Sequence, residues 1–162
     1  MTLNQDQSKV SSVLDEMNKA RQRWMGILAR ASDAAIADLI ARVEPTPAYD
    51  IIKRPETGTL MLEGRAGGAG QRFNMGEATM TRCVVRLSDG TMGFSYALGR
   101  DRKKAEQSAV LDALLQSATP WAETLHAGIN AMEQVQADAR DKASRKAAAT
   151  KVNFFTLVRG DG

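Results

Sequence analysis

The apolar residues of this chain change their spacing twice, and that change constrains the fold more than any single motif. Through the first third they recur at steps of three, four and seven. Val10, Val13, Leu14, Met17, Trp24, Leu28 and Ala31 thereby fall on one helical face. A second helix starts at Ser32 or Asp33, either of which can cap its free amides. It carries Ile36, Leu39, Ile40 and Val43 as a compact stripe, and Pro45 and Pro47 end it. From Tyr49 the period becomes two, as in half-buried strands. Leu60 and Leu62 alternate with Thr59, Met61 and Glu63 after a turn at Gly58. Farther on, Thr81, Cys83, Val85 and Leu87 share one face, and Met80, Arg82, Val84 and Arg86 the other. Asp89-Gly90 accepts the positive φ angles of a tight hairpin. The return strand sets Met92, Phe94, Tyr96 and Leu98 against Thr91, Gly93, Ser95 and Ala97. A face of such small residues lets a helix or a partner backbone come close.

Helical spacing returns after Asp101, the cap of a helix running from Arg102 to about Ser117 with Ala105, Ala109, Val110, Ala113 and Leu114 inward. Thr119-Pro120 restarts a helix, with Thr as cap and Pro at its first position. Its stripe is thin: Trp121, Leu125, Ile129, Met132 and Val135. Beyond Val135 the chain stays helix-prone but almost lacks large apolar side chains until the window Val152 to Val158. A polar arm with an apolar tip either adds a strand to its own sheet or docks on another polypeptide. The expected class is α+β: N-terminal helices, an antiparallel sheet of about four strands, C-terminal helices and an extended apolar tail. The divisions are an N-terminal helical extension (1–20), a core domain (21–118), and a helical arm with a docking tail (119–162).

Composition narrows the function classes. A chain of 162 residues fits one domain with arms. A net charge of +3 does not make a polyelectrolyte, and 5% aromatic residues offer little for base stacking, so no nucleic-acid partner is expected. Cys83 is the one cysteine and His126 the one histidine, which excludes an internal disulfide and a zinc ligand set. Cys83 reads as a buried small hydrophobe and His126 as a surface or interface residue. The polar start MTLNQDQSKV has no apolar signal core, and no run approaches the ~20 apolar residues of a membrane span. The expected location is the cytoplasm, away from membrane.

Glycine and arginine concentrate between Arg54 and Asp101. Arg65, Arg72, Arg82, Arg86, Arg100 and Arg102 surround a loop with Gly64, Gly67, Gly68, Gly70 and Gly76. Arginine offers a planar donor fork to carboxylate or phosphate, and glycine lets backbone amides turn toward an anion. The pair points to an anionic contact or a tightly packed polar interface. The loop lacks the spacing of a dinucleotide-binding turn or a P-loop, and it joins two strands, so no helix N-terminus stands behind it. It is either a mobile hairpin loop or one that clasps an anion or a partner. Arg82 and Arg86 lie about 13 Å apart along one strand face, with Glu63 and Arg65 assigned to the same face. That face is either solvated or a charged interface. No triad or paired-carboxylate site stands out, and neither a catalytic residue nor a metal ligand is nominated.

Several ordered segments carry a resemblance. They are Arg21-Gln22 with Trp24-Met25; Glu56-Thr57-Gly58; Arg65-x-Gly67-Gly68-x-Gly70-x-Arg72-Phe73; Gly76-Glu77-Ala78-Thr79-x-Thr81-Arg82; Val85-Arg86-Leu87-x-Asp89-Gly90; Gly99-Arg100-Asp101; Asp112-Ala113-Leu114; and Lys151-Val152-x-Phe154-Phe155-Thr156-x-Val158-Arg159-Gly160-Asp161. Together, over roughly Arg21 to Asp161, they resemble the PhnG family, subunits of the bacterial phosphonate carbon–phosphorus lyase system. The resemblance implies a subunit, inactive alone, that acts with PhnH-, PhnI- and PhnL-like proteins. In that step an alkylphosphonate displaces adenine from MgATP to give ribose 1-alkylphosphonate 5-triphosphate. It further implies a symmetric core with PhnJ, two copies of this chain, and PhnI as the seat of the nucleosidase chemistry. No cofactor is then bound by this chain alone, and MgATP is a substrate of the complex. On this footing Arg65, Gly67, Gly68, Gly70, Arg72, Arg82, Arg86 and Arg100 are candidates for contact with an anion or a partner. Val152, Phe154, Phe155 and Leu157 are candidates for partner docking. The alternative is a purely structural adaptor with no residue in the active site.

Overall fold

The computed structural model describes residues 3–150. Helices α1 (Leu3–Arg30) and α2 (Asp33–Ile40) precede strands β1 (Tyr49–Arg65), β2 (Arg72–Leu87) and β3 (Met92–Leu98). Helices α3 (Arg102–Gln116) and α4 (Ala122–Ala149) follow. The strands form one antiparallel sheet in the order β1-β2-β3. The class is α+β as expected, with three strands among the described residues where about four were expected. Gly58 is not a turn: it pairs with Met80 inside one continuous strand. Register shifts between Ile51 and Lys53 and between Lys53 and Glu56 absorb Pro55. As β1 lies at the sheet edge, a residue without an N–H is tolerated there.

The bare face of β3 receives α3. A Cβ added to Gly93 would overlap the carbonyl oxygen of Ala109 and crowd Ala113, so the helix axis comes as close as backbone allows. Ser95 Oγ donates to the Ala105 carbonyl at 2.6 Å across the same seam. Thr81, Cys83, Val85 and Leu87 are buried against it, as their alternation predicts. Helix α3 is buried on more sides than its expected stripe, since Leu111 and Leu115 are also in the core. Asp101 caps it, accepting from Lys104 N at 2.8 Å. Among the described residues no helix is long and apolar enough to cross a membrane.

The other helices refine the expectations. Ser32 caps α2, accepting from Ala35 N at 3.2 Å. The helix ends at Ile40, before either proline, because Arg42 N and Val43 N bond back to Leu39 and Ile40 in a tighter turn. Val43 thus reaches the core from that turn and not from a helical stripe. Thr119 and Pro120 do not play the cap and first-turn roles expected of them. Helix α4 begins at Ala122 with Trp121 at its cap position, and the Thr119 hydroxyl has no partner among the described residues. Instead Trp121 Nε1 anchors the start to the Glu44 carbonyl at 3.3 Å. Trp24 and Leu28 of α1 and Ala31 just past its end are buried, but Val13, Leu14 and Met17 are more than half exposed, so one stripe serves two environments. The proposed docking tail, with Val152, Phe154, Phe155 and Leu157, lies outside the described residues.

Candidate functional site

The candidate arginines fall at three separate places. Arg82 and Arg86 stand on the open face of β2, the face turned away from α3. Arg82 donates to Glu56 through Nε at 3.1 Å and Nη2 at 2.9 Å, and Arg86 donates to Asp50 at 3.2 Å. Both pairs are cross-strand partners in the register. Glu56 is also met by Lys53 at 3.1 Å. Its carboxyl is held below the ordinary range by the Lys53 hydrogen bond first and by Arg82 second. All these groups are exposed, so each pair is worth little to stability. Their effect is to occupy the donor forks and order the row.

Arg65 and Arg72 lie about 33 Å away along β2, at ten residues of ~3.3 Å each. They pair with each other at the last rung before the glycine loop. Arg72 has Glu63 at 3.7 Å, and Arg65 donates to the Gly70 carbonyl at 3.3 Å. Gly67 and Gly68 take φ of 60° and 83° in that loop, a conformation glycine adopts at little cost. The loop does connect two strands. One expectation is corrected by the register: Leu60 and Leu62 are in the row of Arg82, so Glu63 and Arg65 lie on the opposite face. Side chains alternate strictly along a strand, and the row assignment hinged on a single residue of register.

Arg100 is a third location, just past β3. It is exposed and forms no ion pair among the described residues, and the same holds for Arg54 and Arg102. Arg54 and Arg102 line one shallow recess of about 470 Å³ with Lys53, Pro55, Glu56 and Thr57. Beneath it a polar seam joins three strands. Thr81 Oγ1, fully buried, donates to the Gly99 carbonyl at 2.8 Å and lies 3.0 Å from Thr57 Oγ1. Gly99 N in turn bonds the Thr79 carbonyl at 2.9 Å.

The most demanding polar arrangement was not found from sequence. Asp112 on α3 is fully buried and gathers donors from four places. Arg21 reaches it with Nε at 3.2 Å and Nη2 at 2.7 Å. Trp24 Nε1 donates at 2.8 Å, Phe94 N at 2.9 Å and Gln116 Nε2 at 3.2 Å. Arg21 and Gln116 also donate to the Met92 carbonyl, at 3.4 and 2.9 Å. At the start of β3, the Met92 carbonyl and the Phe94 amide are thus taken by side chains where a fourth strand would otherwise pair. A signal did exist: an aspartate amid the apolar positions of a helix needs a cation or amide partner.

Cys83 is buried, its thiol donating to the Lys53 carbonyl at 3.3 Å. Burial, with Glu106 second, pushes that thiol up to about 11. Tyr49 donates to Glu106 at 2.8 Å and is pushed up to about 12, by burial first and by that bond second. His126 is exposed and meets Trp24 edge-on, ring centres 6.2 Å apart. Among the described residues no three His, Cys, Asp or Glu side chains converge as a metal site would need.

The family model described as phosphonate metabolism protein PhnG matches residues 19–160. The chain is also similar to the alpha-D-ribose 1-methylphosphonate 5-triphosphate synthase subunit PhnG of Rhizobium meliloti (strain 1021). The two are 41% identical over 143 residues, which cover 87% of this chain and 90% of that protein.

Proposed function

This chain belongs to the PhnG family of phosphonate metabolism proteins, and from that premise we propose that it is a non-catalytic subunit of a ribose 1-alkylphosphonate 5-triphosphate synthase. In that reaction the bond between ribose C1 and adenine breaks, an oxygen of the alkylphosphonate bonds to C1, and the triphosphate stays in place. MgATP enters as a substrate of the assembly. PhnI-, PhnH-, PhnJ- and PhnL-like subunits are the partners, with two copies of this chain in a symmetric hetero-oligomer. The chain supports the transfer by building and ordering the assembly. The observation that carries this reading is the state of its arginines. Arg72, Arg82 and Arg86 already face carboxylates of their own sheet, so these three forks are not vacant for a triphosphate.

A second role for the same subunit is favoured by Arg54, Arg100 and Arg102, which have no carboxylate among the described residues. Leaving-group expulsion at C1 develops cationic character, and the polyanionic substrate needs fixed positive charge nearby. Placed at a subunit boundary, these three arginines would lend that charge to a neighbour's site.

The test is reconstitution. Adenine release from MgATP and methylphosphonate is measured with the full synthase, with the synthase lacking this chain, and with this chain alone. Turnover is expected only in the first. Steady adenine release by the single chain would overturn the non-catalytic assignment, and full turnover without it would remove the chain from the reaction. Within the full synthase, Arg100→Ala with Arg102→Ala separates the two roles: normal assembly with lost turnover supports lent charge, and normal turnover excludes it. The tail proposal has its own test. Truncation before Lys151 is expected to leave the body folded and weaken assembly; normal assembly of the shortened chain would refute it.

A further inference from the structure

Past Met80 the sheet becomes a two-stranded ribbon. β3 ends its pairing at Leu98 opposite Met80. β1 and β2 continue together for seven more rungs, from Thr59 with Thr79 to Arg65 with Arg72. At ~3.3 Å per residue this arm extends about 23 Å. It carries Leu60, Met61, Leu62, Phe73 and Met75, exposed by 47%, 57%, 43%, 50% and 65%.

Register puts most of them on one face. Leu60 pairs with Ala78, Leu62 with Gly76, and Gly64 with Phe73. A Cβ on Gly64 would overlap the sulfur of Met75, so the bulged Met75 also lies over this face. The row continues onto the body through Met80, Leu98 and Tyr96, the last two exposed by 44% and 50%. Leu60, Leu62 and Phe73 each stand opposite a glycine or alanine. A self-sufficient ribbon sets large side chains against each other across the strands. This one presents ridges at Leu60, Leu62 and Phe73 beside hollows at Gly76 and Ala78, and its side chains do not cover one another. An isolated two-stranded ribbon is marginal in water, so such a face calls for an outside cover.

Charge selects the kind of cover. Arg65 and Arg72 oppose each other at the tip, on the face away from the apolar row, a like-charge pair that among the described residues meets one carboxylate, Glu63, at 3.7 Å from Arg72. A second copy packed face to face would cover the apolar row and leave Arg65 and Arg72, on the reverse face, without a carboxylate. A different chain that holds the arm from both sides, apolar against one face and acidic against the other, suits both. We propose that the β1–β2 arm inserts into a groove of another subunit of the synthase, with Leu60, Leu62, Met75 and Phe73 against its apolar wall and an acidic group of that subunit meeting Arg65 and Arg72 on the arm's other face. This rests on the assembly role proposed above and adds which surface performs it.

The experiment co-expresses the full chain with the other synthase subunits, one of them tagged, and measures how much of the chain co-purifies. The double variant Leu60→Ser, Leu62→Ser is expected to keep its urea midpoint as an isolated chain, since both side chains are already exposed, and to lose at least tenfold in co-purification. Arg65→Glu with Arg72→Glu is expected to lose several-fold. Val13→Ser with Met17→Ser, on the exposed part of α1, serves as the control and should assemble normally. In parallel, amide hydrogen exchange over residues 59–65 and 72–79 of the wild-type chain should slow at least tenfold on assembly, a measurement that stands even if a variant misfolds. Normal co-purification of the Leu60/Leu62 variant, or unchanged exchange in the arm, overturns the arm as the docking surface and leaves the subunit role intact. Failure of the wild-type chain to co-purify sinks both. A wild-type chain that dimerises alone through the arm, with the variant monomeric, refutes the choice of a different subunit.

Discussion

Replacing Asp112 by alanine should be among the most damaging single changes in the body of this protein. The carboxylate is fully buried and receives Arg21, Trp24, Phe94 and Gln116. Without it the Trp24 indole N–H and the Phe94 amide lose their acceptor, at about 1–3 kcal/mol for each buried donor left unmade. Arg21 loses its counter-charge, and breaking a buried ion pair from one side costs about 3–5 kcal/mol. These penalties share one carboxylate and do not sum. The Arg21 side chain is 28% exposed and can turn partly to water, which keeps the total near 3–5 kcal/mol. Against a typical stability of about 5–15 kcal/mol that is a large fraction. Asp112→Asn retains the shape and one acceptor oxygen, so about half that loss is expected. Arg21→Ala should be milder than Asp112→Ala, because Trp24, Phe94 and Gln116 still satisfy the carboxylate. The assay is urea unfolding followed by tryptophan fluorescence. At an ordinary slope the alanine variant should unfold roughly 2 M earlier. A loss below about 1 kcal/mol for Asp112→Ala, or an Arg21→Ala variant weaker than it, would refute the idea that this carboxylate ties α1 and α3 to the edge of β3.

Gly93→Val should destabilise by about 3 kcal/mol or more in the same assay, since its side chain must displace the backbone of α3 at Ala109; a change under 1 kcal/mol would show that the helix is free to retreat. Cys83 and Tyr49 are both raised above their ordinary 9.0 and 10.0, so the folded state holds their protons more tightly than the unfolded chain. Their contribution is complete below about pH 9 and is lost as pH rises toward about 11 and then about 12. The urea midpoint should therefore drop above pH 9, and Cys83→Ala should remove the earlier part of that drop; an unchanged profile in the variant would exclude the thiol. At pH 8 a thiol reagent should label Cys83 at least a hundredfold more slowly in the native chain than in urea, and equal rates would contradict its burial.

Much of the fold was legible because its determinants are local. The α3 stripe, the Trp24, Leu28 and Ala31 part of the first stripe, Leu125 and Ile129 in α4, the alternation from Thr81 to Leu87, and the caps at Ser32 and Asp101 each depend on residues within a turn or a strand of one another, whereas Val13, Leu14, Met17 and Val135, assigned to the same stripes, are exposed. Gly58 misled for the same reason. A glycine between polar residues looks like a turn locally, whereas pairing with β2 keeps the chain extended through it. Thr119-Pro120 has the local form of a helix start, but the Trp121 anchor on Glu44, 77 residues away, moves that start to Ala122.

Sequence by itself determined the class of the fold, its antiparallel order, the small-residue face of β3, and the abundance of arginine around a glycine loop. Tertiary structure decided where those arginines stand and what they meet. It separated Arg65 and Arg72 from Arg82 and Arg86 by the length of the ribbon. It gave Arg82 and Arg86 to Glu56 and Asp50, and it turned Arg65 to the other face. It also joined Arg21 and Trp24 to Asp112 across about ninety residues of chain. Periodicity reports which face of an element is apolar, because that depends on the element's own geometry. Which polar groups share a site depends on register and helix packing, set by many weak contacts at once, and no window of sequence contains them.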